Sequence, residues 1–323
     1  MLCGCGNAQG TRGAGGDRMK IVVTIFPEYD WVMNVLGDKA SDADVTLLLD
    51  TGTDLHSYQP SASDILEITT SDLFIYVGGE SDGWVEDVLR QAKGDIAVID
   101  MMEVLGDSVK EEELVEGMQE DEDHHHGDED HDDEDEDHHH HDEGPEYDEH
   151  VWLSLRNASV ITEAISDALC DIDPSDADTY RSNAAAYREK LAALDEKYKS
   201  VISESSRDIL LFGDRFPFRY MTDDYGLKYY AAFAGCSSES GATFETITFL
   251  AGKVDELGLD VVLTTERSSN GIAQTVIQNT ASKDQKILAL DSMQTISLND
   301  TDGSVSYLQI MENNLEILKE ALN

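Results

Sequence analysis

The chain of 323 residues has few cationic side chains. Lysine and arginine together number 22 against 68 aspartate and glutamate residues, and the formal net charge is −46. A surface of this sign repels polyanions and enriches cations near it, so nucleic acid is excluded as an expected partner. The formal charge of −46 would still be −31 without the fifteen acids of the densest acidic segment, so the acidity belongs to the whole surface.

Cysteines and long hydrophobic runs are also scarce. The four cysteines are Cys3 and Cys5 near the start and the widely separated Cys170 and Cys236. The spacing of the last two fits neither a metal motif nor a disulfide framework. Cys170 and Cys236 are therefore expected to be small, buried, apolar residues. No apolar run approaches the length of a membrane-spanning helix.

The first residues resemble the end of a bacterial lipoprotein signal. Leu2, Gly4 and Cys5 match the site at which a cysteine becomes lipid-bearing, but the preceding charged and hydrophobic regions are missing. The hypothesis is a start codon placed too late, with Cys5 as the lipid anchor and residues 1–17 as signal remnant and tether. It predicts an extracytoplasmic protein, either lipid-anchored to the cell membrane or periplasmic.

Histidine is abundant in one acidic segment, residues 120–143. Of its 24 residues eight are histidine, fifteen are aspartate or glutamate and one is glycine, so it has no apolar side chain for a core. It is predicted to be a disordered loop spanning residues 119–144. Because imidazole binds zinc and titrates near neutral pH, the loop is expected to collect divalent cations loosely. Its histidines are His124, His125, His126, His131, His138, His139, His140 and His141.

Apolar runs alternate with amphipathic segments on both sides of this loop, which predicts an α/β fold. The first half is expected to contain strands at residues 21–26, 45–49, 73–77 and 96–99, and the second half at residues 209–212, 229–233, 261–265 and 287–290. Strands separated by helices form parallel sheets with helices on both faces. Two lobes of one architecture are therefore predicted.

A long amphipathic segment lies between the halves. Its apolar residues from Tyr180 to Val201 are spaced alternately by four and three, which predicts one helix of about 40 Å that joins the lobes. The helix is expected to begin near Pro174. The predicted boundaries are a first lobe at 18–172, a linking helix at 173–203 and a second lobe at 204–323. A core helix of a single domain is the alternative.

Only two histidines, His56 and His150, lie outside the His-rich loop. His56 follows a predicted strand and His150 stands where the loop meets a helix; parallel sheets bind ligands at the carboxyl ends of their strands. Two imidazoles with carboxylates predict a zinc or manganese site. The candidate carboxylates follow strands of the second half: Asp214, Glu266 and Asp291. For each, helix capping or an ion pair with a neighbouring arginine is the alternative.

Several of these features together resemble the solute-binding subunits of bacterial zinc and manganese ABC importers. They are the His56 loop with Tyr58 and Pro60, the HVWLS segment that begins at His150, the His-rich loop before it, and the Asp-Ser pair at Asp291. The resemblance covers nearly the whole chain from Lys20 onward, and the loop is similar to that of the zinc-type branch.

The resemblance implies two Rossmann-like lobes joined by a rigid helix, with one metal ion in the cleft. His56 and His150 match the first two ligands and Asp291 the last. The third position departs from the pattern, because Gly213 stands where relatives carry histidine or glutamate. Either Asp214 or Glu266 then reaches in, or water completes the coordination shell.

The implied function is capture of extracellular Zn²⁺, alternatively Mn²⁺, by a monomer that delivers it to an ABC transporter permease without a chemical reaction. One alternative is a zinc-dependent hydrolase with Glu266 or Asp214 as the base. The sequence contains neither a His-Glu-x-x-His helix nor a nucleophile elbow. The other alternative is a passive metal-buffering protein in which only the His-rich loop binds metal. Because imidazole must be neutral to bind metal, affinity is expected to fall below about pH 6.

Overall fold

The computed structural model describes residues 18–50, 52–119, 146–237, 241–298 and 305–323. These residues form two four-stranded sheets in which every pairing is parallel. The strand orders are β2-β1-β3-β4 and β6-β5-β7-β8, so each sheet places its second strand at one edge and its first strand beside it. The predicted α/β class with two parallel sheets is confirmed.

The first sheet and its helices come before residue 120. The strands are β1 (Met19–Val23), β2 (Ala43–Leu47), β3 (Leu73–Tyr76) and β4 (Ala97–Asp100), and the helices are α1 (Phe26–Leu36), α2 (Ala62–Thr69), α3 (Val85–Leu89) and α4 (Met101–Leu105). β1 is shorter than predicted because Pro27 lies in the first turn of α1. The Glu28 carboxylate accepts hydrogen bonds from the backbone N–H groups of Thr24 and Ile25, which fixes the helix start.

Two consecutive helices follow the His-rich segment: α5 (Leu155–Ile172) and α6 (Ala177–Glu204). α6 is the predicted long helix, and its buried residues from Tyr180 to Tyr198 follow the predicted apolar stripe. It begins at Ala177 instead of near Pro174, because Asp176 is its N-cap. α6 packs against α5 and α1.

The second sheet and its helices follow α6. The strands are β5 (Ile209–Phe216), β6 (Lys228–Ala234), β7 (Val261–Thr265) and β8 (Lys286–Leu290), and the helices are α7 (Arg219–Tyr225), α8 (Phe244–Leu257), α9 (Gly271–Asn279) and α10 (Tyr307–Ala321). α10 packs against α6, so the long helix contacts elements of both halves.

The halves also meet at Trp152, which is fully buried. Its indole N–H donates to the Ser292 carbonyl at 2.8 Å, and its own carbonyl accepts a hydrogen bond of 2.7 Å from the Tyr307 hydroxyl. These contacts hold the HVWLS segment against the end of β8. No helix within the described residues is long and apolar enough to cross a membrane.

Candidate metal centre

His56 lies in a short 3-10 turn, Leu55–Ser57, that follows β2. The Asp54 carboxylate starts the turn by accepting the backbone N–H of His56 at 3.1 Å. The Nδ1 atom of His56 is 2.9 Å from the Ser81 hydroxyl and 3.3 Å from Glu149 Oε2. With Nδ1 committed to these partners, Nε2 is the ring nitrogen directed into the cleft.

His150 is fully buried beside it. Its Nδ1 is 3.0 Å from Asp148 Oδ1, and the same oxygen accepts the backbone N–H of His150 at 2.9 Å. The tripeptide from Asp148 to His150 therefore supplies one imidazole together with the carboxylates that face both imidazoles. Carboxylates in this position fix the orientation and tautomer of histidines that bind metals.

The two Nε2 atoms, of His56 and His150, lie 3.3 Å apart. Two nitrogen ligands of a tetrahedral zinc ion, each at about 2.0–2.1 Å from the metal, are about 3.3–3.4 Å from one another. The spacing therefore suits two ligands of one cation. A proton on the Nδ1 atom of each ring, facing its carboxylate, would leave both Nε2 atoms able to bind one metal ion.

Glu149 determines the charge state around His56. Burial acts to lower the pKa of His56, but the hydrogen bond and negative charge of Glu149 outweigh it, so the net shift is upward. Burial likewise acts to raise the pKa of Glu149, and the hydrogen bonds from His56 and Ser81 outweigh it, so that pKa is lowered. The carboxylate is thus held ionised next to the imidazole.

From the second lobe, Gln294 contacts both imidazoles. Its Nε2 is 2.8 Å from His150 Nε2 and 3.2 Å from His56 Nε2, and its Oε1 lies 3.1 Å from the Ser292 hydroxyl oxygen. The preceding residue, Met293, has a positive φ of 61°, a left-handed conformation that L-residues seldom adopt. This turn after β8 aims the glutamine at the two rings.

Cys236 is the other second-lobe residue near the imidazoles, two positions after the end of β6. Within the part of the chain that the structure describes, one group of three or more His, Cys, Asp or Glu residues could hold a metal: His56, His150 and Cys236. Their ligand atoms all lie within 4.8 Å of one another. Burial, followed by the negative charges of Asp148 and Glu112, raises the pKa of the Cys236 thiol well above its ordinary value.

The three carboxylates predicted from the sequence do not belong to this group and bind nearby backbone and hydroxyl groups instead. Asp214 Oδ2 accepts the backbone N–H and hydroxyl of Thr265 at 3.0 and 2.8 Å. Glu266 accepts the backbone N–H and hydroxyl of Ser292, both at 2.9 Å.

The third of these carboxylates, Asp291, accepts the backbone N–H of Met293 at 2.8 Å and so supports the turn that carries Gln294. Burial, with the charge of Glu266, raises the pKa of Asp291 to about 6. Ligation by Asp214, Glu266 or Asp291 stays a prediction.

Gly213 has no room for a side chain. A Cβ added there would lie 2.6 Å from the Cα and 2.8 Å from the Cβ of Ala273 in α9. A ligand at this position would require α9 to move. The eight histidines of residues 120–143 and the predicted lipidation site, Cys5, lie outside the described residues.

A cavity of about 490 Å³ opens between the lobes next to His56 and Cys236. An ion pair of 3.0 Å between Asp54 and Arg215 crosses this cleft. Burial acts to raise the pKa of Asp54, but the charges of His56 and Arg215 outweigh it and lower that pKa. Of the two imidazoles, only that of His56 lines this cavity.

Two α/β lobes whose cleft contains paired, carboxylate-oriented imidazoles define a two-lobed metal-binding protein. The family model described as "ZnuA: Zinc-uptake complex component A periplasmic" matches residues 21–321. The chain belongs to this family, which confirms the resemblance seen in the sequence.

Among curated proteins, the chain is 31% identical to the zinc-binding lipoprotein AdcA of Streptococcus pneumoniae serotype 4 over 99% of this chain and 58% of that protein. It is 26% identical to the high-affinity zinc uptake system protein ZnuA of Bacillus subtilis over 100% of this chain and 94% of that protein. The chain thus spans little more than half the length of the AdcA relatives.

Solved structures agree. Zn(II)-bound AdcA from Streptococcus pneumoniae superposes with a TM-score of 0.71 at 28% identity, over 94% of this chain and 58% of that one. Its ZnuA-like domain, also bound to Zn(II), gives a TM-score of 0.70 at 28% identity, over 94% of this chain and 99% of the domain.

Proposed function

We propose that this protein captures one zinc ion between its lobes and delivers it to the permease of an ABC importer, without a chemical reaction. The observation that carries the proposal is the 3.3 Å separation of the His56 and His150 Nε2 atoms, with the Nδ1 of each ring facing a carboxylate. Paired neutral imidazoles favour zinc and its neighbours over hard cations such as Mg²⁺ or Ca²⁺.

The relatives support zinc as the cargo. AdcA is named a zinc-binding lipoprotein, and the Bacillus subtilis relative is named a high-affinity zinc uptake protein. The family description places its members in a zinc-uptake complex. Delivery to a membrane permease and an extracytoplasmic location are proposed on this ground.

Further parts of the proposal come from the sequence. Cys5 would carry the lipid anchor, the protein would act as a monomer without nucleic acid, and the histidines of residues 120–143 would concentrate cations near the cleft. The lobes would be residues 18–172 and 204–323, joined by the helix at 173–203. Mass spectrometry of native protein that finds Cys5 unmodified would contradict the anchor.

Zinc titration of three forms of the protein tests the proposed function. The first form is the wild type, the second lacks residues 120–143, and the third carries His56→Ala and His150→Ala. We expect one tight site in the first two forms and its loss in the third. A passive buffer would lose all binding with the deleted segment and keep it in the double variant.

Competition between the two ions, measured on the loop-deleted protein, decides between zinc and manganese. We expect zinc to displace manganese, because nitrogen ligands bind zinc more tightly. Retention of manganese in the presence of equimolar zinc would overturn the assignment of the cargo.

A further inference from the structure

We propose that the Cys236 thiolate is the third protein ligand of the ion held by His56 and His150. This inference rests on the proposed function and names a ligand for it. The family match assigns no role to this cysteine, and the sequence pattern predicts only a small, buried, apolar residue; instead, Cys236 is partly exposed beside the two imidazoles. The protein would then bind the ion through two nitrogen ligands from the first lobe and one sulfur ligand from the second lobe.

The first argument concerns other candidate donors. A side chain at position 213 would collide with α9, since a Cβ added to Gly213 would lie 2.6 Å from Ala273 Cα. The carboxylates of Asp214 and Glu266 each accept two hydrogen bonds from neighbouring groups. Asp291 accepts a backbone N–H and is not one of the three clustered ligand residues.

The second argument is the local geometry of the loop after β6. A Cβ added to Gly235 would meet the Phe216 carbonyl at 2.9 Å and His150 Cε1 at 3.0 Å. Only glycine lets the backbone approach His150 this closely. The residue that follows it is Cys236, whose backbone N–H is held by Glu112 Oε1 at 3.1 Å. The loop therefore brings the sulfur toward the ring and anchors it there.

The third argument is distance. The ligand atoms of His56, His150 and Cys236 lie within 4.8 Å of one another. In a tetrahedral zinc site with Zn–S of about 2.3 Å and Zn–N of about 2.0–2.1 Å, sulfur and nitrogen are about 3.6 Å apart. A movement of roughly 1 Å, well within the closure of a loop, brings the sulfur into the coordination shell.

Zinc binding by Cys236 releases a proton. The thiol loses this proton to solvent as the Zn–S bond forms, so the sulfur binds as a thiolate and one proton is released for each zinc ion. Thiolate is a soft ligand that selects zinc over manganese. The cysteine would thus bring a negative charge and zinc selectivity to the site, where Gly213 has no side chain that could bind metal.

X-ray absorption at the zinc edge tests the assignment on the full chain loaded with less than one equivalent of zinc. We expect a sulfur shell at about 2.3 Å beside nitrogen at about 2.0–2.1 Å. The shell should disappear in Cys236→Ser and persist in a variant whose sole cysteine is Cys236, made by Cys3→Ser, Cys5→Ser and Cys170→Ser.

Zinc affinity supplies a second readout. Cys236→Ser should weaken zinc binding roughly 100-fold, because the ion loses one of its protein ligands. A wild-type spectrum without sulfur, or a sulfur shell that survives Cys236→Ser, overturns the inference. In that case, tight zinc binding by the wild type and its loss in the His56→Ala, His150→Ala protein would leave the proposed function standing without Cys236 as a ligand.

Discussion

The two lobes prepare their sides of the cleft differently. On the first lobe, His56 and His150 have their Nδ1 atoms facing Glu149 and Asp148, and both Nε2 atoms point into the cleft. On the second lobe, the carboxylates of Asp214 and Glu266 accept hydrogen bonds from the ends of the neighbouring strands β7 and β8. The first lobe is thus a preformed receptor, whereas the second lobe uses its acids for structure and offers other atoms.

The charges fit this division. The second-lobe acids accept hydrogen bonds from backbone and hydroxyl donors. Glu149 accepts a backbone hydrogen bond from Ser81 and faces the Nδ1 atom of His56. A cation that enters the cleft is therefore expected to bind the first lobe before the second lobe closes on it.

The largest effect is expected for His150→Ala. Loss of one nitrogen ligand should weaken zinc binding roughly 100-fold, on the order of 3 kcal/mol. Competition with a chromophoric chelator measures this directly. The matched second-lobe variant is Asp291→Asn, which should change the affinity less than about threefold. Equal losses in the two variants would show that Asp291 is a ligand after all.

Asp148→Asn should have the next largest effect. The amide can still accept the proton of His150 Nδ1, but it lacks the charge that makes the ring a stronger donor to metal. Loss of such a partner costs about 10- to 100-fold in metal affinity. Thr264 is a buried second-lobe residue whose hydroxyl donates to Asn270 Oδ1, and Thr264→Ser serves as the control, for which no change in zinc affinity is expected.

Asp214→Ala should reduce stability more than zinc affinity. The variant leaves the backbone N–H and hydroxyl of Thr265 without their acceptor, which costs about 1–3 kcal/mol of the free energy of unfolding. Zinc affinity should change less than about threefold. Urea denaturation of the metal-free protein and chelator competition separate the two quantities. A large loss of affinity with unchanged stability would return Asp214 to the coordination shell.

The smallest effect concerns pH. The pKa of His56 is raised above its ordinary value of 6.5, so the protonated ring is present at higher pH than in a free histidine. Zinc binds the neutral ring. As the pH is lowered, zinc affinity should therefore begin to fall while the pH is still above 6.5. This pH is higher than the value of about 6 that is expected from the sequence. In Glu149→Gln the fall should move to lower pH, because the partner that stabilises the charged ring is gone.

For His56, the folding stability of the metal-free protein depends on pH in the direction opposite to that of zinc affinity. A raised pKa of His56 stabilises the fold at pH values below the unfolded pKa, and this contribution is lost as the pH rises through the folded pKa. The lowered pKa of Glu149 works oppositely: its contribution is present above the unfolded pKa and is lost as the pH falls. Thermal melting of the metal-free wild type and of Glu149→Gln, at pH values that include the titration of both His56 and Glu149, measures both contributions to stability.

Much of the fold was readable from the sequence because it depends on local patterns. Alternating apolar runs gave both parallel sheets, and the stripe from Tyr180 to Tyr198 gave α6. Helix α5 is predicted only as the helix that the loop meets at His150, without bounds. Its apolar residues recur at helical spacing and Ser154 caps its start, so the periodicity after residue 154 also indicates its extent.

The site was only partly readable. His56 and His150 stood out as the two histidines outside the acidic loop, but their partners depend on contacts between distant segments. Gln294 reaches the rings through the positive φ of Met293, and no sequence pattern signals that turn. Cys236 had a usable signal, since it follows a strand end as Asp291 does. That rule was applied to carboxylates and not to the thiol.

Anomalous scattering at the zinc edge from crystals of the zinc-loaded protein tests the central claim most directly. The account predicts one strong peak in the cleft, about 2.0–2.1 Å from the Nε2 atoms of both His56 and His150. A sole peak elsewhere, or one bound to only one of these imidazoles, would contradict it.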